Sequence, residues 1–180
     1  MKTLTTERLM LTPWKLSDAA DLFSYAKNPN VGPAAGWAPH RSIFDSVHLI
    51  TAVLKPNGVF CIRPKETGRA IGTISLSDDK YRTGIRSMEL GYSMDEDYWG
   101  MGLMTEAVRA VMKHGFGNLG LDRISVCTGP ENEGSQNIIR KCGFTYEGTL
   151  RQAFRVYDGS VRDVMCFSIS REEYYAAEKE

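Results

Sequence analysis

Residues 87–116 carry a pattern that few folds accommodate. An alternating run, Ser87 to Asp95, leads into Trp99-Gly100-Met101-Gly102-Leu103-Met104-Thr105-Glu106 and a helical pattern from Leu103 to Phe116. In the first run Met88, Leu90, Tyr92 and Met94 share one face and Glu89, Gly91 and Ser93 the other, the two-residue period of a strand. In the second, Leu103, Met104, Ala107, Val108, Val111 and Met112 make an apolar stripe opposed by Thr105, Glu106, Arg109 and Lys113. Two glycines one residue apart at a strand-to-helix turn let the backbone approach a ligand closely and aim successive N–H groups outward. The helix start adds partial positive charge, so the turn suits a phosphate or pyrophosphate. Its plainer reading is a tight turn into a well-started helix. No Lys-Ser/Thr follows the second glycine, which excludes a Walker loop. Thr105 stands where a dinucleotide fingerprint has its third glycine, and no acidic residue falls where a parallel βαβ unit would place it.

The rest of the chain interleaves strands and helices. Glu7 to Trp14, Val59 to Ile62, Ala70 to Leu76, Arg123 to Thr128, Leu150 to Tyr157 and Val161 to Ile169 read as strands, the last two joined across Asp158-Gly159. Ser17-Asp18 is placed to cap a helix through Leu22, Phe23 and Ala26, and Ser42 to start another through Ile43, Val47, Ile50 and Leu54. Asn28 to Arg41 carries three prolines and two glycines and reads as irregular. The alternation indicates an α/β class, and the hairpins argue against an all-parallel sheet. A mixed, mainly antiparallel sheet of about seven strands flanked by helices, in one domain over residues 1–180, is the expectation.

Composition narrows the function. Lys plus Arg equals Asp plus Glu at 22 each, leaving no field that would gather nucleic acid or an anionic membrane. No run reaches the length of a membrane span, and the first residues lack an apolar core of signal-peptide length. Cys61, Cys127, Cys142 and Cys166 show no Cys-x-x-Cys spacing and read as reduced thiols of a cytoplasmic protein. His40, His48 and His114 are equally scattered, so no metal is expected.

About thirty residues after the glycine turn comes Asn132-Glu133-Gly134-Ser135-Gln136-Asn137-Ile138-Ile139-Arg140-Lys141-Cys142-Gly143-Phe144. Ser135, Ile138, Ile139 and Cys142 follow helical spacing, which sets Ser135 at the N-terminal end of a buried stripe. A hydroxyl there can meet a ligand at the strand ends; the plainer reading makes Asn132 an N-cap and Ser135 an ordinary first-turn residue. The two motifs together resemble the GNAT (GCN5-related N-acetyltransferase) superfamily, its acyl-CoA pyrophosphate loop and its Asn-x-x-Ser/Ala…Lys-x-Gly-Phe helix. Thr6-Glu7-Arg8-Leu9-Met10-Leu11-Thr12-Pro13-Trp14 and Arg162-Asp163-Val164-Met165-Cys166-Phe167-Ser168-Ile169 are similar to the first and last strands of its RimJ/RimL-like subgroup.

The resemblance implies an N-acetyltransferase using acetyl-CoA as co-substrate, with an amine acceptor that is either a protein N-terminus or a small molecule. A non-catalytic CoA-binding domain is the rival, and a homodimer stays open. It implies that CoA meets Tyr92, Ser93, Met94, Trp99, Gly100, Met101, Gly102, Leu103, Met104, Thr105, Asn132, Ser135 and Asn137. A backbone N–H near Tyr92, Ser93 and Met94 would hold the thioester carbonyl, Ser135 the sulfur, and Asn132 the pantetheine arm or acceptor. Many members place a tyrosine four residues after the serine position; this chain has Ile139, which donates no proton. Met104 replaces a usual small residue, and Phe154 stands near the counterpart of a glutamate that some Rim-type enzymes use.

Direct attack on a thioester needs a neutral amine. An α-amine of pKa about 7.7–8.0 is roughly 10–15% neutral at pH 7, a lysine of about 10.4 well under 0.1%. Glu89, mid-strand among apolar neighbours, is the carboxylate best placed to act as base; an ion pair with Arg123 is the equal alternative. Trp37 lines an acceptor pocket or anchors its Gly/Pro-rich loop, and Tyr157 in the final hairpin is a second candidate contact. Asp95, Glu96 and Asp97 either favour a cationic acceptor or form a solvated acidic turn.

Overall fold

The structure, a computed structural model, describes residues 2–177. Eight strands form one sheet: β1 (Leu4–Thr5), β2 (Leu9–Pro13), β3 (Phe60–Pro64), β4 (Gly72–Asp78), β5 (Ser87–Met94), β6 (Arg123–Thr128), β7 (Thr145–Arg155) and β8 (Val161–Ser170). Their order is β1-β2-β3-β4-β5-β6-β8-β7, and every neighbouring pair is antiparallel except β5 with β6. Helices α1 (Ala19–Ala26), α2 (Gly32–Ala35), α3 (Ile43–Leu49), α4 (Leu103–Gly117), α5 (Glu133–Lys141) and α6 (Arg171–Ala177) flank it.

Neighbouring residues of β3 show which helix covers which face. Phe60 and Ile62 join a core that includes Leu9, Leu11, Ile74, Leu90, Met94 and the expected stripe of α4, from Leu103 to Met112. Cys61, between them, belongs to a second core with Trp14, Leu22, Tyr25, Ala26 and Ile50. Successive strand residues point to opposite faces, so α4 and α5 cover one side of the sheet and α1 and α3 the other.

The expected layout holds, with local differences. β1, a two-residue edge strand, is additional to the seven read from alternation; two residues carry no period to read. β7 begins at Thr145 rather than Leu150, because its edge position leaves both faces wet and its bulges interrupt alternation. The loop read as irregular contains the short α2, and α3 runs into a single π turn, Ile50–Leu54, closed by the Lys55 N–H on the Ile50 carbonyl at 3.0 Å. The first helical turn starts after Lys15, not at Ser17, and Asp18 in that turn reaches back to it: its Oδ2 accepts from the Lys15 N–H at 2.8 Å and from the buried Arg63 at 2.5 Å.

Candidate functional site

The site begins where two strands part. β5 and β6 are in register from Ser87↔Arg123 to Leu90↔Val126 and no further, although β5 continues to Met94 and β6 to Thr128. β4 holds β5 along its whole length and β8 holds β6, so the two strands diverge as a wedge. The Asp95 N–H bonds to the Ile71 carbonyl, which by antiparallel alternation turns Gly91 and Ser93 toward β4 and the backbone groups of Tyr92 and Met94 into the wedge. The resulting cleft has a volume of about 980 Å³. An extended chain carrying a carbonyl can enter it and find strand N–H groups without a partner strand.

At the mouth lies the glycine turn. Gly100 and Gly102 both have φ of 75°, where a side chain is strained even though space around their Cα atoms is open or nearly so. Gly102 is the residue before α4, so the first N–H groups of Leu103, Met104 and Thr105 face outward at the positive end of a 15-residue helix. The N-terminal motif fastens this turn. Arg8 donates through Nη1 to the Met101 carbonyl at 2.9 Å and through Nε to Glu106 at 2.7 Å, while the Arg8 N–H reaches the same carboxylate at 2.8 Å. The Trp99 indole donates to the Met94 carbonyl at 2.8 Å and ties the end of β5 to the turn.

The first turn of α5 forms the facing wall. The Asn132 Oδ1 accepts from the Ser135 N–H at 3.0 Å, so its carbonyl oxygen caps the helix and its Nδ2 is the donor it can offer a ligand. The Ser135 Oγ lies 2.9 Å from the Tyr92 hydroxyl, which also reaches the Ser135 carbonyl at 3.4 Å. Burial pushes the Tyr92 phenol up to about 12, with the Ser135 hydrogen bond pulling the other way. It stays protonated through any working pH. Ile139 is core, packed under the sheet.

Glu89 lies on the opposite face of β5 from Tyr92. Burial raises its carboxyl above the usual range; Lys80 draws it back, Asp79 pushes it further and the Cys127 thiol counteracts. The ion pair with Arg123 does not form. Arg123 donates to the Ser168 hydroxyl at 2.7 Å and stands 3.8 Å from Glu147. Behind Glu89, Asp79 is saturated by Ser87, Ser125, Arg82 and the Tyr81 N–H. The Cys127 and Cys166 sulfurs, remote in sequence, meet at 3.6 Å across β6 and β8, and all four cysteines are free thiols.

The far end of the cleft is roofed by α2 and the β7–β8 hairpin. Arg162 donates to the Pro33 carbonyl at 2.9 Å and pairs with Glu131 at 3.1 Å, and the Phe154 ring lies against Gly36, where a Cβ would collide. Val31, Ala34, Ala35, Phe154 and Val164, from these elements and the chain next to them, line the cleft, as Glu89 does from β5.

Most of the expected residues meet in this cleft: Glu89, Tyr92, Ser93, Met94, Trp99, Gly100, Gly102, Leu103, Met104, Thr105, Asn132, Ser135 and Asn137. Ser93 contributes differently from the expectation, since its backbone serves β4 and its hydroxyl meets Thr73 at 3.0 Å. Three residues lie elsewhere. Met101 is outside the cleft because Arg8 holds its carbonyl on the other side of the turn. Trp37 packs on Gly32 and the His40 ring, the anchor of its loop. Tyr157 sits half exposed at the hairpin turn. Glu96 does not face a ligand either; it accepts from Asn28 at 2.6 Å and Asn30 at 3.0 Å, joining the acidic turn to the α1–α2 loop. Arg162 was legible only as part of the last-strand pattern and Glu131 carried no motif, so the tie from Arg162 to Glu131 and Pro33 was not readable from sequence. Among the described residues there is no cluster of His, Cys, Asp and Glu fit to hold a metal ion, and no helix is long and apolar enough to cross a membrane.

Known proteins share this arrangement. Residues 8–145 match the model of the acetyltransferase (GNAT) domain. An uncharacterized N-acetyltransferase of Bacillus licheniformis, p20, is 33% identical over 97% of this chain and 99% of its own. Among solved structures, the ribosomal-protein-S5-alanine acetyltransferase from Vibrio fischeri superposes with a TM-score of 0.75 at 26% identity, covering 97% of this chain and 99% of that one. RimJ of Mycobacterium smegmatis, in complex with CoA-disulfide, superposes with a TM-score of 0.79 at 22% identity over 98% and 95%.

Proposed function

The chain belongs to the GNAT family of acetyltransferases, and from that premise we propose that it moves the acetyl group of acetyl-CoA onto the α-amine of a protein N-terminus. The observation that carries this reading is the parting of β5 from β6 beyond Leu90↔Val126, beside the glycine turn. The turn's N–H groups suit the pyrophosphate, the wedge suits the pantetheine arm, and the free N–H of Tyr92 or Met94 suits the developing oxyanion. Asn132 through its Nδ2 and Asn137 are further candidate contacts for the arm. Ser135 is the hydroxyl placed to meet the leaving sulfur.

In this reading Glu89 is the base. A carboxylate whose affinity for a proton is raised by burial is a better match to an amine than an exposed one. An α-amine asks less of that base than a lysine does, since about a tenth of α-amines are already neutral at pH 7. The acceptor end is lined by Val31, Ala34, Ala35, Gly36 and Val164, which supports a small apolar first residue. The Vibrio fischeri relative is named for an alanine of ribosomal protein S5, which agrees with that size. The four free thiols support a reducing compartment, the cytoplasm.

Mass spectrometry of products from a mixed set of peptides and small amines tests the acceptor. Acetyl groups should appear on N-termini with small first residues. Acetyl groups confined to lysine side chains or to small amines such as polyamines would overturn the N-terminal reading.

A further inference from the structure

We propose that Tyr92 is a positioning residue for the leaving group: its phenol holds the Ser135 hydroxyl so that the serine proton points at the thioester sulfur. The proposal rests on the acetyl-transfer reading above and concerns the same cleft.

Each of the two hydroxyls has one proton and two acceptor sites. They lie 2.9 Å apart, and the phenol has a second, longer contact only with the Ser135 carbonyl, at 3.4 Å. Tyr92 packs against the core on the α5 side of β5, and both it and Ser135 border the cleft. A phenol that donates to Ser135 Oγ fills one of the serine's acceptor sites and leaves its proton free for a ligand. In the opposite arrangement the serine donates to the phenol and the phenol's single proton falls to the Ser135 carbonyl at 3.4 Å, the longer and weaker of its two contacts. Hydrogen bonds in series also strengthen one another, so a serine that accepts from the phenol is a stronger donor.

The phenol does not itself supply the proton. Burial lifts it to about 12, whereas a thiol ionises near pH 8.5, so transfer from Tyr92 to a thiolate would run uphill by roughly 3.5 units. The step balances without it. The amine nitrogen forms the new bond to the carbonyl carbon, and the carbon–sulfur bond breaks with its electron pair going to sulfur. The amine's proton passes to the base and from it to solvent, and the departing thiolate takes a proton from solvent in turn, so no net proton is left over. Ser135 and Tyr92 keep theirs throughout, stabilising the charge that grows on sulfur.

Four proteins decide the matter: wild type, Tyr92→Phe, Ser135→Ala and the double variant, with melting checked for each. Tyr92→Phe removes one oxygen and keeps the ring's packing. It should lower kcat by about five- to twentyfold and leave the KM of acetyl-CoA within about twofold. In the Ser135→Ala background, which should itself cost about ten- to a thousandfold, the same change should alter kcat by less than about twofold. Equal losses in both backgrounds, an effect confined to KM, or an unchanged kcat in Tyr92→Phe would each overturn the positioning role. Wild type that releases no thiol with any amine would instead overturn the acetyl-transfer reading on which it rests.

Discussion

The two ends of the cleft are built in different ways. The end around the glycine turn comes from contiguous chain: β5, Gly100, Gly102 and the start of α4, with α5 closing the opposite wall. The proposed acceptor end is assembled from pieces that meet only on folding, with Arg162 reaching Pro33 and Phe154 packed on Gly36. Backbone N–H groups are what the first end offers a ligand, and a backbone does not change when side chains are replaced. At the second end side chains form the surface, so each substitution reshapes what fits. A fold of this kind can keep one donor and change acceptors, which is why family membership leaves the acceptor as a proposal.

The largest expected effect lies at the contiguous end. At a hundredfold excess over Kd, a ligand bound only by the folded chain adds about 2.7 kcal/mol, roughly 5–10 °C in Tm for a domain of this size. Acetyl-CoA should produce that shift in wild type and none in Gly102→Val, because a β-branched residue at φ of 75° rebuilds the turn. Full protection of Gly102→Val would show that the turn is only a turn.

Glu89 lines the same cleft from β5. As base it should give a rate profile with an acidic limb above the ordinary carboxylate range, and Glu89→Gln should abolish that limb and cost about a hundredfold or more in kcat. The stability effect has the opposite sign. A folded pKa above the unfolded one means that the ionised form is penalised by folding, a cost present above the folded pKa and gone once pH falls below the unfolded one. Glu89→Gln should therefore raise Tm at neutral pH, with a gain that shrinks on acidification. A lower Tm with a normal rate per folded molecule would mean that the carboxylate serves structure.

Arg162 sharpens the comparison most finely. Arg162→Ala unties α2 from the hairpin and from Glu131, and should raise the acceptor's KM about tenfold while sparing that of acetyl-CoA. Parallel rises in both would erase the distinction between the two ends.

What could be read beforehand follows the same division. Gly100-x-Gly102 and the stripe through Ser135, Ile139 and Cys142 are local patterns, and a local pattern survives in sequence. Asn132 was legible as a cap and took that role. The contact of Arg8 with Met101 spans 93 positions and that of Arg162 with Pro33 spans 129, and no spacing rule links such pairs. Tyr92 was expected to contribute its backbone; its side chain's partner, 43 positions away, could be found only in the fold. The N-terminal half of β7 escaped for a simpler reason: Thr145 to Thr149 is mostly exposed on both faces, and a strand wet on both sides shows no period.

The central claim is that this cleft transfers acetyl groups and does more than bind CoA. Thiol released from acetyl-CoA, counted against acetyl groups found on the amine in the same reaction, tests it directly. The account expects amine-dependent release in a one-to-one ratio from wild type, and its loss in Gly102→Val. Acetyl-CoA binding with no amine-dependent thiol release, across peptides and small amines alike, would contradict it.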